Sequence, residues 1–120
     1  MKMPGDLLTV SMDASGQVTV LFLAGEVDAL SVGELDRALA RAAQRAMPVI
    51  IDVSSLGYID SSAFRAIYQA SEHIPVSIVV SPGAVLSRTI QLAGINARIP
   101  IFPDVETASA EAANRRTGPS

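Results

Sequence analysis

Hydrophobic positions in this chain change their period several times, and each change marks an element. Residues 7–12 and 17–23 read as strands, and Asp13-Ala14-Ser15-Gly16 between them is turn chemistry, so the chain opens on a hairpin. On the second strand Val18, Val20, Phe22 and Ala24 share one face, and Thr19, Leu21 and Leu23 share the other. Both faces are largely apolar, which predicts cover on both sides. The period then shifts. Val32, Leu35, Leu39, Ala42 and Ala46 recur at intervals of three and four, drawing one buried stripe on a helix. Ser31 and Glu34 have capping-box spacing at its start, and Met47-Pro48 ends it.

Residues 49–53, Val-Ile-Ile-Asp-Val, form a short β-branched run that reads as a central strand, with 54–59 as a connection. Asp60-Ser61-Ser62 opens a second helix, with Phe64, Ile67, Tyr68 and Ser71 as its inner face and Pro75 barring continuation. Residues 76–80 make the next strand and Ser81-Pro82-Gly83 the next turn. A third helix carries Leu86, Ile90 and Ala93 on one stripe and stops at Gly94, which suits a left-handed C′ position. Residues 99–102 read as a strand, and Pro100 places it at a sheet edge because proline cannot donate to a ladder. A last helix over 104–113 turns Val105, Ala108 and Ala112 inward. Strands alternating with helices after a hairpin predict an α/β fold. Its sheet is mixed and mostly parallel, with about four helices packed against it.

Composition narrows the function more than the fold. The 120 residues suffice for one domain over 1–120, with a core at about 7–113 and loose ends at 1–6 and 114–120. A formal charge of −3, with no basic cluster apart from Arg115-Arg116, argues against nucleic acid as a partner. Zero cysteines exclude disulfides and thiolate metal sites, and one histidine leaves no histidine-based metal cluster. The N-terminus lacks a signal-peptide core. No apolar run approaches the roughly 20 residues that cross a bilayer. The expected location is the cytoplasm, without direct membrane insertion.

The candidate chemistry lies in Ile59-Asp60-Ser61-Ser62-Ala63-Phe64, where a carboxylate and two hydroxyls meet a helix start. A helix cap alone explains Asp60-Ser61. A nucleophile needs a base, and His73 lies about three helical turns (~16 Å) away, which leaves a hydrolase triad without its histidine. Nor does Ser81-Pro82-Gly83 resemble a nucleotide-binding phosphate loop, so no cofactor is expected. Two readings stay open on the residues alone: a cap and nothing more, or a hydroxyl to which phosphate is added and removed. A first helical turn has unpaired N–H groups and a positive dipole end that would hold such an anion.

Three stretches together resemble the STAS domain, shared by bacterial anti-sigma factor antagonists and the cytoplasmic tails of sulfate transporters. They are LFLAGEVDAL, VIIDVSSLGYIDSSA and, late in the chain, LAGI. The resemblance runs from about residue 7 to 113. It implies phosphorylation at Ser62, with Ser61 as the alternate hydroxyl, and a partner-facing surface of Asp28, Asp60, Ser61, Ser62, Ala63 and Arg65. It also implies a non-enzymatic switch that captures an anti-sigma factor, commonly itself the serine kinase, frees the sigma factor, and is reset by a phosphatase. The chain departs from the family pattern at Ala63, in place of glycine, and at Phe64-Arg65, in place of Leu-Gly. A methyl and a long cation then stand where a partner backbone would approach. The alternative within the same fold is a STAS subunit of an ABC-type lipid transporter, docked on its ATPase. The edge strand and the stripe on the last helix are each candidates for a weak homodimer contact.

Overall fold

A computed structural model describes residues 8–117. Position 7, expected to begin the first strand, lies outside the described residues, as do the expected loose end 1–6 and positions 118–120. The hairpin forms as the turn residues require. Strand β1 (Leu8–Asp13) pairs antiparallel with β2 (Thr19–Val27), with Leu8 opposite Gly25 and Asp13 opposite Val20. The Asp13 carboxylate accepts the Ser15 hydroxyl at 2.7 Å and the Ser15 N–H at 3.0 Å, and these bonds hold its pKa below the usual carboxylate value.

The remaining elements are α1 (Val32–Ala43), β3 (Val49–Ile59), α2 (Ser61–Ser71), β4 (Val76–Val79), α3 (Ser87–Leu92), a 3-10 turn (Ile95–Ala97), β5 (Ile101–Phe102) and α4 (Val105–Thr117). The strands lie in the order β1-β2-β3-β4-β5, and every pair after the hairpin is parallel. Each crossover advances by one neighbouring strand. With one hand for all such crossovers, α1, α2 and α3 fall on the same face. There Leu35 and Leu39 of α1, Ile67 of α2 and Ile90 of α3 close over Leu21, Leu23, Ile51, Val53 and Ile78 of the sheet. Each fully buried Leu or Ile contributes about 1.5–3 kcal/mol. On the other face α4 covers a smaller cluster of Val20, Ile50, Val79 and Ala108.

Several expectations change. Residues 54–59 are strand, because β2 runs on to Val27 and keeps β3 paired as far as Ile59. The face of β2 that carries Val20, Phe22 and Ala24 is covered only at its start. Val20 is buried under α4, but Phe22 is 40% exposed and Ala24 is open, because α4 spans β3–β5 rather than the hairpin. Ala46 does not extend the α1 stripe: Pro48 bars continuation, and the chain leaves the helix through φ 55 at an exposed Ala46, while Ala38 fills the core position instead. On α3, Leu86 precedes the helix and Ala93 is exposed. Gly94 does take the left-handed conformation, at φ 71, and leads into the 3-10 turn. The α4 stripe faces in, as expected. Ala108 and Val105 of that stripe pack on the sheet. The helix also runs on to Thr117, through positions expected to be loose. The last strand sits at the sheet edge, as expected, but is shorter than expected and begins only after Pro100.

Two outcomes test this packing. Ile67→Ala, at a position with no exposed surface, should cost about 2–5 kcal/mol in urea unfolding. Asp104 caps α4 by accepting the Thr107 N–H at 2.7 Å, a bond that lowers its pKa. A depressed folded-state pKa adds stability above the ordinary carboxylate value and loses it as pH falls through the lowered one. Asp104→Asn should therefore flatten the acid limb of a stability–pH profile, and an unchanged limb would discount this cap.

Candidate partner-docking and modification site

The site exists because two strands end together. Val27 and Ile59 are register partners, and the Asp60 N–H donates to the Val27 carbonyl at 3.2 Å. Asp28 and Asp60 therefore begin two loops side by side at the C-terminal ends of adjacent parallel strands. Reaching this end takes β3 eleven residues against nine for β2, and two register shifts, at Phe22/Ala24 and Gly25/Glu26, absorb the difference. Such bulges bend a strand and re-aim the residues beyond the bend.

Each acidic residue organises its own loop. The Asp28 carboxylate accepts the N–H of Leu30 at 3.0 Å, the N–H of Ser31 at 2.9 Å and the Ser31 hydroxyl at 3.1 Å. The expected capping box does not form: the Ser31 hydroxyl turns back to the Glu26 carbonyl and the Asp28 N–H, and Glu34 pairs with Arg37. The Asp28 carboxylate takes the Ser31 N–H that Glu34 would have reached, and the Glu34 N–H donates to the Ser31 carbonyl at 3.0 Å. The Asp28 carboxylate is thus committed to local structure.

Asp60 is the N-cap of α2, in extended backbone geometry, and its carboxylate accepts the Ser62 N–H at 3.0 Å. The same oxygen accepts the Ser62 hydroxyl. Its carbonyl takes the Ala63 N–H at 3.1 Å. The expectation that first-turn amides stand free to hold a phosphate on Ser62 is therefore corrected: the amide nearest that hydroxyl is already occupied by the Asp60 carboxylate.

The two serines face different surroundings. Ser62 is half-buried, not sealed, and lines a hollow of about 200 Å³ between α1 and α2 with Asp36, Arg65 and Gln69. Ser61 is exposed and lines a separate hollow of about 410 Å³ on the other side of α2, with Phe64, Arg65, Tyr68 and Arg98. Arg65 borders both. Ala63, expected on the partner-facing surface, has no exposed surface at all. Its methyl is part of the main core, because the third helical position turns toward the sheet. Phe64 and Tyr68, read as inner-face residues, are only half-buried; Ala63, Ala66 and Ile67 form the true inner stripe.

Arg98 and Asp36 escaped the sequence reading. Arg98 lies between Ile95 and Ile99, both essentially fully buried and joined by an N–H···O bond of 2.9 Å. Two isoleucines four apart after a left-handed glycine were the available signal for a tight turn that points the intervening arginine outward. Among the described residues there is no group of His, Cys, Asp and Glu able to hold a metal ion, and no helix long and apolar enough to cross a membrane.

A model of the STAS domain matches residues 9–108. The anti-sigma-F factor antagonist RsfB of Mycobacterium tuberculosis is 28% identical over 107 residues, covering 86% of this chain and 88% of that protein. Among solved structures, an anti-sigma factor antagonist from Mycobacterium paratuberculosis superposes with a TM-score of 0.81 at 19% identity, over 94% of this chain and 99% of that one. The Bacillus cell fate determinant SpoIIAA in its phosphorylated form superposes with a TM-score of 0.61 at 15% identity, over 86% and 98% of the two chains. The superpositions establish the fold, a five-stranded mixed sheet with four α-helices.

Replacing the α2 cap tests the geometry of the site directly. Asp60→Ala should cost about 0.5–2 kcal/mol of stability in denaturant unfolding, and Asp60→Asn much less, because asparagine is an equally good N-cap. Equal losses from both would show that the carboxylate does not cap this helix.

Proposed function

The chain belongs to the STAS domain family, and we propose that within it this protein is an anti-sigma factor antagonist. In this reading it binds a kinase-type anti-sigma factor, releases the sigma factor, and is switched off by phosphorylation at Ser62. The observation that carries the reading is the Ser62 hydroxyl at the first turn of α2, lining an accessible hollow with its proton directed to Asp60. The similarity to proteins described as anti-sigma factor antagonists over nearly the whole chain supports the same assignment.

The chemistry follows from those contacts. Asp60 fixes the direction of the Ser62 O–H and leaves the oxygen lone pairs aimed away from itself. In the modification step Ser62 Oγ attacks the γ-phosphorus of ATP held by the kinase. The Oγ–P bond forms, the bond to the bridging oxygen breaks, and ADP leaves. The hydroxyl proton departs, with the Asp60 oxygen its nearest acceptor. A phosphatase reverses the change by hydrolysing the phosphoester.

The consequence is electrostatic. A phosphoserine adds about −1.5 to −2 charges at pH 7. Here it would replace a donor on Asp60 with a dianion beside that carboxylate and face Asp36 across the hollow. Arg65 is the one cation lining that hollow. The added charge disfavours both the local arrangement and a partner already docked, without any change of fold. The domain itself is not a catalyst in this reading. His73, the only histidine, follows the far end of α2, about three turns from Ser62.

Incubation with the cognate anti-sigma factor and ATP, followed by mapping of the phosphate, tests the proposal. Ser62→Ala should abolish labelling and preserve capture of the anti-sigma factor. Ser62→Glu should weaken capture at least tenfold, equivalent to about 1.4 kcal/mol. Capture by Ser62→Glu equal to that of the unmodified protein would overturn the switch. Stable co-purification with a transporter ATPase, in place of an anti-sigma factor, would favour the transporter-subunit alternative.

A further inference from the structure

We propose that the hollow beside Ser61 is a docking site for an acidic segment of the protein partner, with Arg65 and Arg98 receiving its carboxylates. The inference rests on the antagonist reading above and identifies the surface chemistry of that partner. Three observations converge on it.

The first is placement. Ser61, Phe64, Arg65 and Tyr68 succeed one another at the three- and four-residue spacing of a single α2 face, and Arg98 reaches that face from the 3-10 turn. The Arg98 guanidinium lies 4.5 Å from the centroid of the Tyr68 ring. Burial of Ile95 and Ile99 on either side holds the arginine in place. An arginine stacked on an aromatic ring loses little further freedom when it binds an anion, so this group is pre-organised.

The second is charge. The chain carries a net −3, yet two guanidinium groups and one carboxylate, Glu72, line this hollow. By contrast, Arg37 pairs with Glu34, and Arg45 donates to the carbonyls of Ala14 and Gly16. Among the described residues neither Arg65 nor Arg98 forms a salt bridge, although both are exposed. A local excess of positive charge on an acidic protein selects acidic groups and repels cationic ones. The excess is too small, and the surrounding surface too acidic, to hold a nucleic acid backbone.

The third is shape. A hollow of about 410 Å³ with a half-buried aromatic floor has the size to seat one or two side chains. Arginine and tyrosine are the residue types most often found to dominate binding at protein interfaces. The hollow adjoins the Ser62 site, since Arg65 lines both. A partner reading Ser62 therefore covers this hollow in the same encounter.

Arg98→Glu is the informative variant, because Arg65 also lines the Ser62 hollow and its reversal would disturb both. Binding of the cognate anti-sigma factor is measured by calorimetry for the unmodified protein, Arg98→Glu, the control Arg41→Glu on α1, and Ser62→Glu. Arg98→Glu should weaken binding at least tenfold, with the loss shrinking as salt rises, and Arg41→Glu should stay within twofold. In the unmodified protein the Nε–H resonance of Arg98 should shift on binding. Binding of Arg98→Glu within twofold of the parent, while Ser62→Glu still weakens it, would overturn this inference and leave the antagonist reading standing. Failure of the unmodified protein to bind any anti-sigma factor would remove both. A single-stranded oligonucleotide bound at Arg98, with anti-sigma factor capture untouched by Arg98→Glu, would overturn the acidic-protein occupant.

Discussion

The structure depends on how far β2 and β3 stay paired. Their parallel ladder continues to Val27 and Ile59, and the next amide, that of Asp60, still donates to the Val27 carbonyl. That single continuation sets where both loops at this end begin. If β3 ended at Val53, α2 would start from a free-standing loop, and Asp60 would have no fixed relation to Asp28. The two bulges let β3 carry surplus residues and still arrive in register. The starts of both loops at this end of the sheet are placed by hydrogen bonds between strands, with side chains refining them.

Much of the fold was legible in the sequence, because most of its elements are specified locally. Turn residues, a periodic stripe and a β-branched run identify the hairpin, α1 and the core of β3 without knowledge of neighbours. The errors occur where a neighbour decides. Ser54, Ser55 and Gly57 have little strand preference of their own, yet Ser55 pairs with β2 and the ladder carries Ser54 and Gly57 at its two bulges, as tertiary context routinely does for β structure. Ser31 and Glu34 have the spacing of a capping box, but Asp28 reaches the Ser31 amide that Glu34 would have taken. The hollow beside Ser61 joins α2 to a turn far along the chain, and no local pattern announces such a meeting. Asp60, Ser61 and Ser62 were legible as a unit because helix starts have their own chemistry. Ala63 was misplaced because an alanine carries no sign of which way it faces.

Neighbouring hydroxyls on one helical turn are often treated as interchangeable, and here they are not. Ser62 shares an oxygen of Asp60 with its own amide and looks across at Asp36; Ser61 stands in the open beside two arginines. A negative group is therefore disfavoured at one position and favoured at the next. Under the proposed switch, this asymmetry would give the surface two roles within one turn, attraction for a partner and a place where attraction is cancelled. It needs no movement of the scaffold, whose core is packed on both faces of β3.

The capped first turn of α2 has a bearing on how Ser62 is reached at all. Its amide, its hydroxyl and the preceding backbone N–H of Asp60 are all engaged, so the segment is not presented as a free, extended peptide. Enzymes that grip a substrate by threading it through a cleft read a short run of letters. One acting here meets a folded corner of two loops and a helix, and a synthetic peptide of the same letters lacks that corner. With Ser62 as the proposed site of modification, selectivity would reside in tertiary shape, and a search for a consensus around this serine would look in the wrong dimension.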